Sequence, residues 1–266
     1  MRHATNPIDG TRIAFDDDGG AGAPVVIHGG FLDPVRLVRR SPLAVALRPF
    51  SDEFRTVFVD HRGHGGSDKP HEASTYAMPL RAADAISVLD ALDIEAAHFV
   101  GLSWGARLGF GIGHHAPDRV LSLVLIGQHP YAIDPNGPLT RLVGNALDVS
   151  RTEGIQALVL AFETIVGRYP DDVRAEYLAC DPAAMHAAWA AALAEGDVAT
   201  DLDRWRTRCL IAVAGEDVDF FEQARRAAEE IPAAEFLSLE GEHHLGMDTA
   251  RVDPLLPAVL RTLRGS

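Results

Sequence analysis

Cysteine is scarce in this chain of 266 residues: Cys180 and Cys209 are the only two. They form no C-x-x-C pair and stand apart from any histidine-rich spacing, which argues against a disulfide framework and a zinc site. Basic residues are also in short supply, with 24 Lys and Arg against 38 Asp and Glu and a formal net charge of −14. A surface this acidic repels phosphate backbones, so nucleic acid is not an expected partner, and anionic membrane surfaces are disfavoured for the same reason. No run of about 18 apolar residues is present to span a bilayer. Met1 to Pro7 carries no apolar core of a secretory signal, so the expected compartment is the reducing cytoplasm. Phosphate-cradling glycine patterns are missing too, both G-x-G-x-x-G after a strand and G-x-x-x-x-G-K-[ST], and no cofactor is expected. The pairs His61/His64 and His114/His115 lack Asp, Glu or Cys at ligand spacing, so no metal is expected either.

What is present is an ordinary globular composition, 47% hydrophobic and 23% charged, long enough to bury a core without covalent staples. Short β-branched runs alternate with helical stretches. Pro24 to His28, Thr56 to Asp60, Ala97 to Gly101, Val120 to Ile126, Cys209 to Ala214 and Glu235 to Leu239 read as strands. Helical patterns separate them: the segment after Gly29-Gly30 up to Phe50, Arg81 to Leu92, Trp104 to His115, Phe221 to Ile231, and a last helix from Arg251. Strands apolar on both faces and alternating with helices predict an α/β fold, a mostly parallel doubly wound sheet covered on both sides.

One region departs from that rhythm. Between Gly127 and Thr207 the pattern predicts no strand but four helical pieces, Leu139 to Leu147, Glu153 to Val166, Asp171 to Leu178 and Pro182 to Leu193. A crossover needs only a dozen or so residues. The excess predicts a helical cap over the carboxyl edge of the sheet, where open α/β sheets bind ligands. The expected organisation is a core of residues 1–127 and 206–266 with a cap of residues 128–205.

Chemistry concentrates at Gly101-Leu102-Ser103-Trp104-Gly105, a G-x-S-x-G placed between a strand and a helix. That context thrusts Ser103 out of the sheet edge, with a helix N-terminus behind it to favour developing negative charge. A hydroxyl needs a base. The stretch after the last strand offers His243 and His244, of which only one can face the serine. An acid to orient the base is sought after the preceding strand, among Glu216, Asp217, Asp219 and Glu222. Asp219 and Glu222 have the D-x-x-E spacing of a capping box for the helix that follows, which gives Asp219 a structural role. Asp217, nearer the strand end and with no such role, is the favoured acid and Asp219 the second choice. Backbone N–H groups of Phe31, in His28-Gly29-Gly30-Phe31, and of Trp104 are the expected oxyanion donors. The His28 side chain is expected to hydrogen-bond within its loop.

These motifs together resemble the α/β-hydrolase-fold serine hydrolases with a helical cap. The resemblance rests on H-G-G-F, then Asp60-His61-Arg62-Gly63-His64-Gly65-Gly66-Ser67, then GLSWG, then acid, then histidine, and it covers essentially the whole chain. It implies the triad order Ser, Asp, His, and selects His244, which stands three residues after Gly241, as the base. It also implies that Asp60 to Ser67 is a structural loop. Relatives acting on epoxides or haloalkanes use an aspartate nucleophile, and Ser103 argues against both. Two departures stand out: Val218 occupies the position where the family places its acid, and a bulky Trp104 follows the nucleophile. The implied activity is hydrolysis of a small to medium carboxylic ester, lactone or related acyl compound by Ser103, His244 and Asp217. Carbon–carbon bond hydrolysis, perhydrolysis and a non-catalytic ligand receptor are the alternatives. Phe31, Trp104, Tyr131, Phe162 and Trp189 are the expected apolar lining. The expected partner is a small-molecule acyl substrate, and the expected state a monomer or homodimer.

Overall fold

In a computed structural model, which describes residues 1–240, 244 and 252–265, eight strands form one sheet. They are β1 (Arg2–Thr5), β2 (Arg12–Asp17), β3 (Ala23–His28), β4 (Phe54–Val59), β5 (Ala97–Leu102), β6 (Val120–Ile126), β7 (Arg208–Ala214) and β8 (Ala234–Leu239). The spatial order is β1-β2-β4-β3-β5-β6-β7-β8. From β4 to β8 every pairing is parallel, and β1 and β2 add an antiparallel edge. The sequence pattern missed that edge. Arg2-His3-Ala4-Thr5 buries only Ala4, so β1 carries no apolar run from which a strand could be read.

Burial on both faces follows from alternation along each strand. In β7, Cys209, Ile211 and Val213 face a core completed by α3 (Met78–Ala91), α4 (Trp104–His115) and α9 (Phe221–Glu230). Leu210, Ala212 and Ala214 face the opposite core, beneath α1 (Val35–Val38), α2 (Pro42–Leu47) and α10 (Val252–Arg264). The helical segment expected after Gly29-Gly30 up to Phe50 is instead broken into α1 and α2. Pro34 caps the first and Pro42 opens the second, each lacking the N–H that a continuous helix would need.

Between β6 and β7 lie α5 (Pro138–Glu153), α6 (Gln156–Val166), α7 (Asp171–Leu178) and α8 (Pro182–Ala194), with no strand among them. They build a hydrophobic cluster of their own, with Leu147, Leu158, Val159 and Met185 fully buried and the core residue Leu32 reaching into it. Arg107 of α4 ties both ends of this segment down, donating to the carbonyls of His129, Tyr131 and Gly196 at 3.3, 2.9 and 3.3 Å.

The strand order also fixes where a site can form. After β3 the chain moves to one side as β4, then returns to the other side of β3 as β5. The loops leaving β3 and β5 therefore diverge and open a crevice at their carboxyl ends, the topological switch point of an open α/β sheet.

Candidate active site

Ser103 stands at the sharp turn between β5 and α4 with φ +49 and ψ −106, a backbone conformation that a residue with a Cβ seldom adopts. The surrounding glycines make it possible. A Cβ on Gly101 would lie 2.3 Å from the Gly105 carbonyl, and one on Gly105 would lie 2.6 Å from the carbonyl oxygen of His28. The turn is held by Ser103 N–H donating to Ile126 O at 2.7 Å and Gly105 N–H donating to Gly29 O at 3.0 Å. The second bond spends the Gly105 donor on the β3 loop and leaves Trp104 N–H at the first turn of α4, next to the serine. No side chain caps α4.

The structure brings three distant residues into one line. Ser103 Oγ donates to His244 Nε2 at 2.8 Å, and His244 Nδ1 donates to Asp217 Oδ2 at 2.7 Å. Asp217, on the loop after β7, is buried, and its other oxygen accepts the N–H groups of Asp219 and Phe220, both at 3.2 Å. These bonds fix the carboxylate plane that faces the imidazole. The rings of Phe220 and His244 also pack together at 4.7 Å between centroids. His243, the other histidine considered, lies outside the described residues.

Above Ser103 is a cavity of about 60 Å³ lined largely by aromatic and aliphatic side chains. Phe31, Trp104, Phe162 and Trp189 all reach it, as expected. The Phe31 ring sits 5.1 Å from Trp104 and 5.6 Å from Trp189 of α8, so the β3 loop meets the inserted helices beside the serine through aromatic rings. Tyr131 does not line it. Its ring turns away, 4.3 Å beneath the Arg226 guanidinium and 5.8 Å from His129. Residues that sequence reasoning missed include Asp33, Gln128, Tyr169 and Tyr177. Asp33 and Gln128 follow β3 and β6 at the carboxyl edge, a position that could have flagged them, whereas nothing local marks the two tyrosines of the segment inserted between β6 and β7.

A family model described as alpha/beta hydrolase fold matches residues 23–210. The chain belongs to the α/β-hydrolase fold family. Among curated relatives, an epoxide hydrolase of Caballeronia sordidicola is 31% identical over 189 residues, 71% of this chain and 53% of that protein. A fluoroacetate dehalogenase of a Burkholderia species is 32% identical over 116 residues, 42% of this chain and 36% of that protein. The match thus spans about half the length of the first relative and less of the second. Among solved structures, the enol-lactonase of Burkholderia xenovorans LB400 superposes with a TM-score of 0.81 at 22% identity, covering 99% of this chain and 100% of that one. The esterase of Exiguobacterium antarcticum gives 0.82 at 21% identity, again covering 99% and 100%. At these identities the two superpositions establish the fold.

Two local expectations for this α/β-hydrolase-fold protein need correction. Asp219 does not cap α9: Phe220 is the N-cap there with no capping bond from its side chain, and Glu222 pairs with Arg225 instead. Asp219 Oδ2 accepts the Leu139 N–H at 3.0 Å, so it caps α5 of the inserted segment, 80 residues away in sequence. Gly137 lies close beside it: a Cβ there would come within 1.9 Å of Asp219 Oδ1, so the carboxylate would have to shift. Conversely Asp217, favoured because it had no local role, does have one, holding the turn through the N–H groups of Asp219 and Phe220.

His28 is the second case. Neither ring nitrogen has a hydrogen-bond partner among the described residues, and the ring packs 4.9 Å from His61 instead. Burial lowers the His28 pKa to about 3 and that of His64 to about 4, with His61 also well below its usual value. This trio is neutral at physiological pH. Arg62, in the loop that the family resemblance marks as structural, is buried and donates to both oxygens of Asp84 at 2.6 and 2.7 Å. Burial pushes the thiols of Cys180 and Cys209 up to about 12, which makes neither a nucleophile. Among the described residues no group of three or more His, Cys, Asp or Glu could hold a metal ion, and no helix is long and apolar enough to cross a membrane.

Proposed function

We propose that the protein is a serine hydrolase that cleaves small carboxylic esters or lactones through an acyl-enzyme on Ser103. The observation that carries this reading is the continuous hydrogen-bonded line from Ser103 Oγ through His244 to Asp217 Oδ2, at 2.8 and 2.7 Å. In that geometry His244 Nε2 takes the hydroxyl proton as Ser103 Oγ attacks the carbonyl carbon, and Asp217 stabilises the imidazolium that results. The N–H groups of Phe31 and Trp104 receive the developing oxyanion at the switch-point crevice. His244 then protonates the leaving alkoxide. Water, deprotonated by the same nitrogen, attacks the acyl-enzyme and frees the acid.

Epoxide and haloalkane chemistry is not favoured, because the family resemblance implies an aspartate nucleophile for it and the residue at the strand–helix turn here is Ser103. The cavity also constrains the acyl group. About 60 Å³ is roughly four to six times the 10–15 Å³ that admits one water. Acetyl to butyryl groups fit such a space among Phe31, Trp104, Phe162 and Trp189; a second cavity of about 500 Å³, which shares Asp33, Leu102, Tyr169 and Tyr177 with it, is where any longer chain would have to extend.

The test is a p-nitrophenyl ester series from acetate to decanoate, with simple lactones, run on the wild type and Ser103→Ala, together with labelling by a fluorophosphonate probe. Turnover should be highest for the shortest acyl groups, and both turnover and labelling should vanish in Ser103→Ala. Retained turnover in that variant refutes the reading.

A further inference from the structure

The loop that carries Phe31 is held on two sides by a single carboxylate. Asp33 Oδ2 accepts the Gly30 N–H at 2.8 Å, and Asp33 N–H donates back to Gly30 O at 3.2 Å. The other oxygen, Oδ1, accepts the Tyr177 hydroxyl at 2.9 Å, and Tyr177 belongs to α7 of the cap. Asp33 is buried, which pushes its carboxyl pKa up and makes each bond to it matter to its placement.

The same loop meets the cap at two further points. Cys180 Sγ approaches the Leu32 carbonyl at 3.7 Å, and Phe31 packs against Trp189. Leu32 itself sits at φ +83, a left-handed conformation that a leucine holds only where its surroundings impose it. Left alone, the stretch from Gly30 to Asp33 would relax, and the Phe31 N–H would turn with it.

We propose that Tyr177 and Asp33 are positioning residues that couple seating of the cap to the shape of the oxyanion loop. With α7 in place, the Tyr177 hydroxyl fixes the Asp33 carboxylate, which holds Gly30 and so aims the next N–H, that of Phe31, at the carbonyl oxygen of the substrate. With the cap lifted, the carboxylate loses its cap partner and the loop loses the restraint that keeps Leu32 in its strained state. Ester cleavage is then suppressed until substrate is enclosed. This coupling rests on the serine-hydrolase reading above. It adds residues that touch neither the serine nor the histidine in the described contacts.

The test compares the wild type with Tyr177→Phe, Asp33→Ala and Asp33→Asn on p-nitrophenyl acetate, beside a trifluoromethyl ketone that forms a hemiketal oxyanion on Ser103. Tyr177→Phe should lower kcat about tenfold with KM within about twofold, and weaken the ketone by the same factor. Asp33→Ala should lose at least as much. Combining it with Tyr177→Phe should cost little more, because the two act through one link. Asp33→Asn should recover most of the rate, since an amide can still accept from Gly30 and donate to the tyrosine oxygen.

An unchanged kcat in Tyr177→Phe, or a raised KM at unchanged kcat, overturns the coupling while leaving the hydrolase reading intact. If Tyr177→Phe does not fold, equal kcat in Asp33→Ala and Asp33→Asn overturns it. A wild type with no Ser103-dependent turnover removes the hydrolase reading and the coupling with it.

Discussion

Asp217 and Asp219 stand two residues apart, and the structure gives them opposite consequences on substitution. In Asp217→Asn the amide oxygen can still accept the N–H groups of Asp219 and Phe220, but its NH2 then faces His244 Nδ1. The ring must accept at Nδ1 and carry its proton on Nε2, where it meets Ser103 as a donor and can no longer act as the base proposed above. A tautomer reversal of this kind costs a serine triad about 10⁴ in kcat, or about 5 kcal/mol of barrier. Because the turn keeps its hydrogen bonds, the melting temperature should hardly move.

Asp219→Ala removes the acceptor for Leu139 N–H at the start of α5 and touches neither Ser103 nor His244. Loss of a cap costs about 1 kcal/mol, which for a chain of this length lowers the melting temperature by roughly 2–4 °C. Its kcat should stay within a few-fold of wild type. The assay is steady-state hydrolysis of p-nitrophenyl acetate beside a thermal melt of each variant. A greater rate loss in Asp219→Ala than in Asp217→Asn, with both folded, refutes the assignment of the acid.

Three further outcomes follow from buried groups. Burial holds His28 near 3 and His64, His98 and His129 near 4, all below their value in an unfolded chain. The unfolded chain therefore binds more protons as pH falls through about 6.5, and each histidine withdraws about 1.4 kcal/mol per pH unit down to its folded pKa. The carboxyls of Asp33, Asp60 and Asp84, raised by burial, act in the opposite sense and soften the slope. Urea unfolding should show stability dropping steeply between pH 6.5 and 4.5, and a flat profile there contradicts the burial of neutral histidines. Arg62→Ala strands Asp84 in the core without its bidentate partner and should cost about 3–5 kcal/mol in the same assay; a loss under 1 kcal/mol would mean that water reaches the carboxylate. Gly101→Ala places a Cβ 2.3 Å from the Gly105 carbonyl, so α4 must move away from β5 at a cost of about 1–3 kcal/mol, with kcat falling as Ser103 shifts. Wild-type kcat in that variant would show that the turn tolerates such a shift.

Legibility from sequence followed the range of the interactions involved. The parallel core was readable because strands buried on both faces must be apolar at successive positions, as Leu123 to Ile126 and Cys209 to Ala214 are. Ser103 was readable because the strain of its turn demands Gly101 and Gly105 within two residues of it. The edge strand β1 was not readable, since exposure on most sides leaves it almost no apolar pattern. The acid was harder still. Asp217 and Asp219 share composition and neighbourhood, and they differ only in which distant partner each meets, His244 for one and Leu139 for the other.

The amino-acid sequence by itself thus determined the α/β class, the helical insertion, and the placing of a serine at a strand–helix turn, because each of these is a local demand on pattern or backbone angle. Tertiary structure alone decided which carboxylate faces the histidine, which aromatic side chains close the cavity, and that Tyr131 points away from it. It also decided that Tyr177 of α7 bonds Asp33 of the Phe31 loop, 144 residues apart. Contacts across such separations are set by how the helices pack over the sheet edge, and no short-range pattern encodes that.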